Sequence, residues 1–138
     1  MLDRRTFIAA AAGLPAFALT GGSATAATLD PAMKANLKSL QALRGSVGDT
    51  AFDGRPLLVT FFASWCPPCR AEMSELANYI AQNGNGVSMI AVNWMEDFAG
   101  PVSRSRLKRF VDVIHPDIPV VVGNTALGRA LNGIHAVP

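Results

Sequence analysis

Charge of either sign is scarce in this chain. Only 16% of the residues are charged, and the formal net charge is +2. A balance this close to neutral gives no reason to expect a nucleic-acid-binding protein. The chain also has no low-complexity tract and no internal repeat. Half of its 138 residues are hydrophobic, which is enough to fill the core of one domain.

The N-terminal apolar stretch is too short to cross a membrane. It runs over about residues 7–19, whereas a membrane-spanning helix needs about 20 apolar residues. The stretch follows Arg4-Arg5 and precedes Ala24-Thr25-Ala26, the order that is typical of a secretory signal peptide, here predicted over residues 1–26. The paired arginines followed by x-Phe-Ile resemble the twin-arginine export motif. An uncleaved N-terminal anchor is the alternative, and both interpretations place the working domain outside the cytoplasm, in a bacterial periplasm.

Cysteine is limited to two residues, Cys66 and Cys69, which stand in the segment Trp65-Cys66-Pro67-Pro68-Cys69. They can therefore pair only with each other or with a partner protein. In an oxidising compartment such a dithiol drifts towards the disulfide. A C-x-x-C pair that forms and breaks its own disulfide is the basis of thiol–disulfide exchange. A purely structural disulfide is the alternative, although its loop is so small that it would stabilise little.

The remaining pattern predicts strands that alternate with helices. An N-terminal helix is expected over residues 27–45, ended by Gly45, and a second domain segment over residues 46–138. The apolar run Leu57–Phe62 predicts a strand that is buried on both faces. The elements expected after it are a helix over 67–82, a strand over 87–94, a helix from Pro101, a strand over 118–122 and a short helix over 125–131 capped by Thr125. Pro119 inside the third strand favours an edge position. The fold class is therefore α/β with a mostly parallel sheet.

The position of the cysteines at a predicted helix start suits redox chemistry. A helix N-terminus favours negative charge and therefore lowers the pKa of a thiol placed there. Cys66 occupies this position in the predicted helix. Pro67 fits the first helical position because the missing N–H costs nothing there. Cys69 lies one turn further on the apolar face and is expected to be the less exposed sulfur. We therefore expect Cys66 to attack a partner disulfide and Cys69 to resolve the mixed disulfide.

Several neighbouring residues have more than one interpretation. Trp65 is either a contact surface for the partner or core filling. Glu72 is either a proton carrier close to the sulfurs or a solvated glutamate that favours the helix dipole. For three weaker features we favour solvent exposure: the basic cluster Arg104, Arg106, Lys108 and Arg109, the pair Glu96-Asp97, and His115. His135, near the chain end, is not expected to tune the thiols.

The segment Phe61–Met73 resembles the thioredoxin superfamily, and more narrowly the TlpA/ResA-like periplasmic thiol–disulfide oxidoreductases. The motif of that family is F-x-A-x-W-C-x-x-C-[RK]-x-E, which this chain matches at Phe61, Ala63, Trp65, Cys66, Cys69, Arg70 and Glu72. Ser74 departs from it, since a proline is usual there. The resemblance implies a three-layer α/β/α fold, Cys66 as nucleophile, Cys69 as resolving thiol and Glu72 as acid–base residue, with no cofactor. It also implies disulfide-containing client proteins, in cytochrome c maturation or metal-site assembly, and a membrane thiol reductant.

The end of the chain departs from the family pattern. The family has a cis-proline that faces the C-x-x-C motif, and Pro138, the last residue, is the matching position. The resemblance therefore makes Trp65, Pro67, Pro68 and Pro138 the client-facing residues. It also implies that a β-hairpin and a final helix are lacking, so we expect a strand with an uncovered edge and a chain that is unstable in isolation.

Three other functional classes stay open. Thiolates suit copper(I) or zinc, so a metal-binding module is one alternative, although no Met-rich or His-rich tract accompanies the motif. A peroxidase of the peroxiredoxin type is another, but that class uses Thr-x-x-Cys, and Ser64 lies only two residues before Cys66. An inactive truncated fragment is the last.

Overall fold

The computed structural model describes residues 29–138. The predicted signal segment, residues 1–26, therefore lies outside the described residues. Among residues 29–138, no helix combines the length and the apolar character needed to cross a bilayer.

Four strands form one sheet in the order β1-β4-β3-β2. Strands β2, β3 and β4 are parallel, and β1 runs antiparallel to β4. The strands are β1 (Gln41–Arg44), β2 (Leu57–Phe62), β3 (Ser88–Asn93) and β4 (Val120–Val122). The helices are α1 (Pro31–Ser39), α2 (Pro67–Asn83), α3 (Arg104–Val111) and α4 (Thr125–Ala130), and a short 3₁₀ helix spans Asp49–Phe52.

Two apolar clusters cover the two faces of the sheet. Successive side chains of a strand point to opposite faces, and in β3 Met89 and Ala91 join one cluster while Ile90 and Val92 join the other. The first cluster receives residues of α2 and α3, and the second receives residues of α1 and α4. The predicted three-layer α/β/α fold with a mostly parallel sheet is therefore confirmed.

The N-terminal helix is shorter than the predicted span to residue 45. It ends at Ser39, and Gln41–Arg44 form β1 instead. Leu37 and Leu40 are buried as the helical spacing indicated, but Leu43 is exposed on the strand. The prediction was wrong because β1 owes its conformation to pairing with β4, a partner about eighty residues further along the chain, which local spacing does not reveal.

Strand β4 lies in the interior of the sheet, between β1 and β3, so the predicted edge position is wrong. Proline is excluded from an interior strand only at positions where the ladder needs the N–H group that proline lacks. The strand begins at Val120, one residue after Pro119, and the Pro119 carbonyl accepts a hydrogen bond from Ala91 N at 3.0 Å. Pro119 thus contributes the one backbone group that it still has.

Two helices begin at residues other than those predicted. Helix α3 begins at Arg104, because the side chain of Ser103 accepts from Arg106 N, and not at Pro101. Helix α4 is capped by Asn124, whose side chain accepts from Leu127 N, and not by Thr125. In both cases the oxygen satisfies a backbone N–H that has no partner within the helix.

Strand β2 is less buried than its composition suggested. Within residues 29–138 it pairs with β3 alone, and Leu58 is 37% exposed beside a shallow apolar cleft. Towards its carboxyl end the strand is more buried: Thr60 is 5% exposed and Phe62 is completely buried. The end of β2 that leads to the cysteines is therefore the firmly packed end.

Arg44 joins β1 to the segment that follows α3. Its guanidinium donates four hydrogen bonds of 2.7–3.0 Å to the backbone carbonyls of Val111, Ile114, His115 and Ile118. Val111 is the last residue of α3, and the other three carbonyls belong to the turn that leads from the helix to β4. A single side chain thus fixes the return of the chain from α3 into β4.

Candidate active site

The two cysteines lie where β2 passes into α2. Cys66 is the N-cap of α2, Pro67 is its first residue, and Cys69 lies one turn inside. A disulfide joins Cys66 and Cys69, with the Cα atoms 5.4 Å apart. The backbone N–H of Cys69 points at Cys66 Sγ, with an N–S distance of 3.3 Å. The predicted placement of both sulfurs relative to the helix is confirmed.

The disulfide is more buried than expected. Cys69 is fully enclosed, and Cys66 is only 3% exposed. Cys69 is thus the less exposed of the two, as predicted, but Cys66 is not open to solvent. The carbonyl oxygen of Pro138 lies 3.0 Å from Cys66 Sγ. In the dithiol form, the Cys66 thiol can donate a hydrogen bond to this oxygen.

Pro138 therefore lies at the cysteines, but its peptide bond does not have the expected geometry. No peptide bond among residues 29–138 is cis, so the bond between Val137 and Pro138 is trans. The trans form is the intrinsically favoured one, by about 0.5–1 kcal/mol. Pro67 and Pro68 are both exposed beside the disulfide.

Trp65 is half-buried and is held by two contacts with the loop that follows β3. Its indole N–H donates to the carbonyl oxygen of Met95 at 2.9 Å. Its ring also packs against the ring of Phe98, with centroids 5.5 Å apart and planes tilted by 31°. Trp65 thus connects the cysteine segment to the loop that follows β3. Phe98, its contact in that loop, was not among the candidate residues from the sequence.

Glu72 is held by β2. Its Oε1 accepts a hydrogen bond of 2.8 Å from the hydroxyl of Thr60, which is itself buried. Its Oε2 is buried and has no hydrogen-bond partner among the described residues. Glu72 is therefore not the solvated glutamate of one sequence interpretation, because its carboxyl group points inward with one oxygen free.

Glu96 is the residue that the sequence interpretation missed. We expected a solvated loop, but Glu96 is only 8% exposed. Its Oε2 accepts from Ser64 N at 2.8 Å and from Asn93 Nδ2 at 2.8 Å, and its Oε1 accepts from the Ser64 hydroxyl. Arg106 Nε donates to Ser64 Oγ at 2.9 Å, and the Arg106 guanidinium lies 3.7 Å from Glu96.

Arg106 therefore differs from the rest of the basic cluster, for which solvent exposure was expected. Arg104, Lys108 and Arg109 are exposed, as predicted. One signal in the sequence could have distinguished Glu96 from an ordinary solvated loop residue, and this signal is its position. Glu96 closely follows the carboxyl end of β3, where sites gather in parallel sheets.

The other candidates lie outside these contacts. His115 Nδ1 accepts from Asp117 N at 3.3 Å in the turn after α3. His135 packs against its neighbour Gly133. Within residues 29–138 no three side chains among His, Cys, Asp and Glu are grouped as a metal site would require.

Comparison with known proteins identifies the family of the chain. The Redoxin family profile matches residues 14–136, which is most of its length. The chain belongs to the Redoxin family. The resemblance to TlpA/ResA-like members of the thioredoxin superfamily is confirmed by this family match and by the thiol:disulfide interchange proteins among the relatives.

Among the relatives of this Redoxin-family chain is the thioredoxin-like protein YneN of Bacillus subtilis. It is 25% identical over 97 residues, which cover 70% of this chain and 54% of YneN. The thiol:disulfide interchange protein DsbE of Yersinia pestis is 40% identical over 45 residues, or 33% of this chain and 22% of DsbE. HelX of Rhodobacter capsulatus, also a thiol:disulfide interchange protein, is 43% identical over 44 residues, or 32% of this chain and 23% of HelX.

The chain thus spans about half the length of YneN and about a quarter of the two interchange proteins. Among solved structures, the reduced N-terminal domain of PilB from N. meningitidis matches with a TM-score of 0.55 and 22% identity, over 72% of this chain and 71% of that domain. This likeness shows a shared fold.

Proposed function

We propose that this protein is an exported thiol–disulfide oxidoreductase that reduces disulfides of periplasmic client proteins. The observation that carries the proposal is the Cys66–Cys69 disulfide at the N-terminus of α2, with the Cys69 N–H directed at Cys66 Sγ. A helix N-terminus with a free N–H stabilises a thiolate, and thiols in this position have a lowered pKa. The interchange proteins among the relatives support the same chemistry.

The reaction starts from the dithiol. The Cys66 thiolate attacks one sulfur of the client disulfide, so that a Cys66–client bond forms and the second client sulfur leaves with the electron pair. The Cys69 thiolate then attacks Cys66 Sγ, the Cys66–Cys69 disulfide forms, and the first client sulfur leaves as a thiolate. Two electrons and two protons pass from the protein to the client. A membrane thiol reductant then restores the dithiol.

Glu72 is proposed to act as the acid–base residue of this cycle. The support is its free, buried Oε2, which is available for a proton, while Thr60 holds Oε1. A carboxyl group fixed in this way can accept the proton of the resolving thiol and return it to the departing client sulfur. Trp65, Pro67, Pro68 and Pro138 are proposed to contact the client, because they surround the disulfide.

The reductant direction and the clients rest on the family resemblance. Clients in cytochrome c maturation or metal-site assembly are what the TlpA/ResA-like resemblance implies, and export follows from the predicted twin-arginine-like signal segment. The exchange chemistry itself runs in either direction, so the reduction potential decides. We expect a value nearer that of thioredoxin, about −270 mV, than that of the oxidant DsbA, about −120 mV.

Mixed-disulfide trapping tests the mechanism. The reduced Cys69→Ser variant should accumulate a covalent adduct with an oxidised client peptide, because nothing resolves it. The Cys66→Ser variant should form none, since the sulfur at the helix cap is missing and Cys69 lies one turn inside α2. Equal trapping by both variants, or a potential near that of DsbA, would contradict the proposal.

A further inference from the structure

Phe98 is unusually exposed for a large apolar residue. Its exposed fraction is 71%, whereas Val102 and Val113, the next among the described large apolar residues, are 51% exposed. Single exposed apolar side chains are common and carry no meaning by themselves. Phe98 differs because its ring packs on Trp65, the residue directly before Cys66. The most exposed aromatic ring of the described chain therefore packs on the residue next to the reactive disulfide.

The position of Phe98 is fixed by a tight turn. The carbonyl oxygen of Met95 accepts from Phe98 N at 3.1 Å and from the Trp65 indole at 2.9 Å. Met95 itself has a φ of 54°, a conformation that is uncommon for residues other than glycine. The turn and the Trp65 ring thus share one acceptor, which keeps the two aromatic rings together.

The same turn is also hydrogen-bonded to the cysteine segment on its buried side. Glu96 points inward and accepts hydrogen bonds from the backbone and the hydroxyl of Ser64, while Phe98 points outward. A surface that is already built in the free protein loses little conformational entropy on binding. Phe98 therefore has the properties of a contact surface and not of a loosely held loop residue.

We propose that Phe98 and Trp65 form an aromatic platform that receives an apolar side chain next to the reactive cysteine of a client polypeptide. The inference rests on the proposed function, since a client sulfur must reach Cys66. An extended chain advances about 3.3 Å per residue, so a client residue one or two positions from its cysteine lies within about 7 Å of it along the chain, close enough to be the one that the platform beside Cys66 receives.

The chemistry of the surroundings favours an apolar client segment. The loop from Phe98 to Val102 has the sequence Phe-Ala-Gly-Pro-Val and carries no charge. On the other side of Cys66, the exposed Pro67 and Pro68 are also uncharged. The nearest exposed charges in sequence, Asp97 and Arg70, flank these segments and are of opposite sign, so they select no client charge, whereas the uncharged aromatic surface gains from covering an apolar side chain.

Two disulfide-bonded peptides test the platform, one with Leu and one with Ser beside the attacked cysteine. The reduced, full-chain protein is mixed with each, and the second-order rate constant is followed by tryptophan fluorescence. We expect the wild-type protein to prefer the Leu peptide and Phe98→Ser to lower this preference about fivefold, because Ser offers the Leu side chain far less apolar surface to cover. Phe98→Leu should retain most of it.

Two controls separate the possible outcomes. Val113→Ser removes an exposed apolar side chain that follows the C-terminus of α3, at the opposite end of the sheet, and should leave the preference unchanged. Oxidised glutathione, a small substrate, should react equally fast with all variants. If the wild-type protein reduces both peptides equally, or if Phe98→Ser keeps the preference, the platform is refuted while the proposed function stands. If it reduces neither peptide, the proposed function fails with it.

Discussion

Replacing Glu96 with alanine should destabilise the protein strongly, because Glu96 is a buried carboxylate in the loop that follows β3. The carboxylate accepts three hydrogen bonds, two from Ser64 and one from Asn93, and lies close to the Arg106 guanidinium. Removing it leaves the Ser64 N–H without its acceptor and Asn93 with only its bond to the Phe62 carbonyl. Stranded buried donors cost about 1–3 kcal/mol each, so we expect a loss of about 3 kcal/mol.

The Glu96→Gln variant separates the effect of the lost charge from the effect of the lost hydrogen bonds. The glutamine keeps the shape and one oxygen, which can still accept from Ser64 N and Asn93 Nδ2. Its amide NH₂ then faces the Ser64 hydroxyl, which already accepts from Arg106. The hydroxyl must turn its proton away, and the charge that attracts Arg106 is lost. Because Arg106 is 36% exposed and partly screened by water, we expect a smaller loss of about 1–2 kcal/mol.

Urea denaturation of the disulfide form is the assay, with the slope of the transition checked for constancy. Asp97→Ala is the matched control, since this neighbouring carboxylate is exposed and its loss should change stability by less than about 0.5 kcal/mol. The combined Glu96→Ala and Ser64→Ala variant should lose less than the sum of the two single losses. If Glu96→Ala behaves like the Asp97 control, the reasoning from burial and hydrogen bonds is refuted.

Three other changes test separate parts of the structure. Arg44→Lys should cost about 2–3 kcal/mol in urea denaturation, because an ammonium group cannot reach all four carbonyls that the guanidinium fork serves; an unchanged midpoint would contradict this. Gly128→Ala should lower stability by about 1–3 kcal/mol, since the new Cβ would lie 2.8 Å from the Trp94 ring, and a neutral effect would show that the ring moves freely. The side-chain hydrogen bond from Arg55 holds the pKa of Asp53 below its ordinary value of 3.8, so the NMR titration midpoint of Asp53 should rise in Arg55→Gln.

Much of the reactive centre could be predicted from local sequence. An apolar run, a cysteine pair and a helical spacing of apolar residues lie within one continuous segment, and each feature acts over only a few residues. The structure accordingly has Cys66 at the cap of α2, with Cys69 and Met73 on its buried face. Local preferences decide such a junction because its hydrogen bonds join near neighbours.

Elements that depend on distant partners were predicted less well. The residues of β1 have the spacing of a helix, and only the antiparallel pairing of Gln41 with Val122 and its neighbours makes them a strand. Pro119 was interpreted as the mark of an edge strand, yet the strand begins after it. In both cases the deciding hydrogen bonds join residues that are far apart in sequence.

The sequence by itself determined the chemistry of this protein: two cysteines, separated in sequence by two prolines, at the start of a helix that follows an apolar strand. Only the tertiary structure decided what surrounds them. Glu96 and Phe98 are ordinary loop residues in the sequence. Folding buries the Glu96 carboxylate against Ser64, whereas Phe98 stays exposed to solvent and packs one side of its ring on Trp65. The reason is physical, since a residue's chemistry is its own, whereas its burial and its partners depend on how distant segments pack.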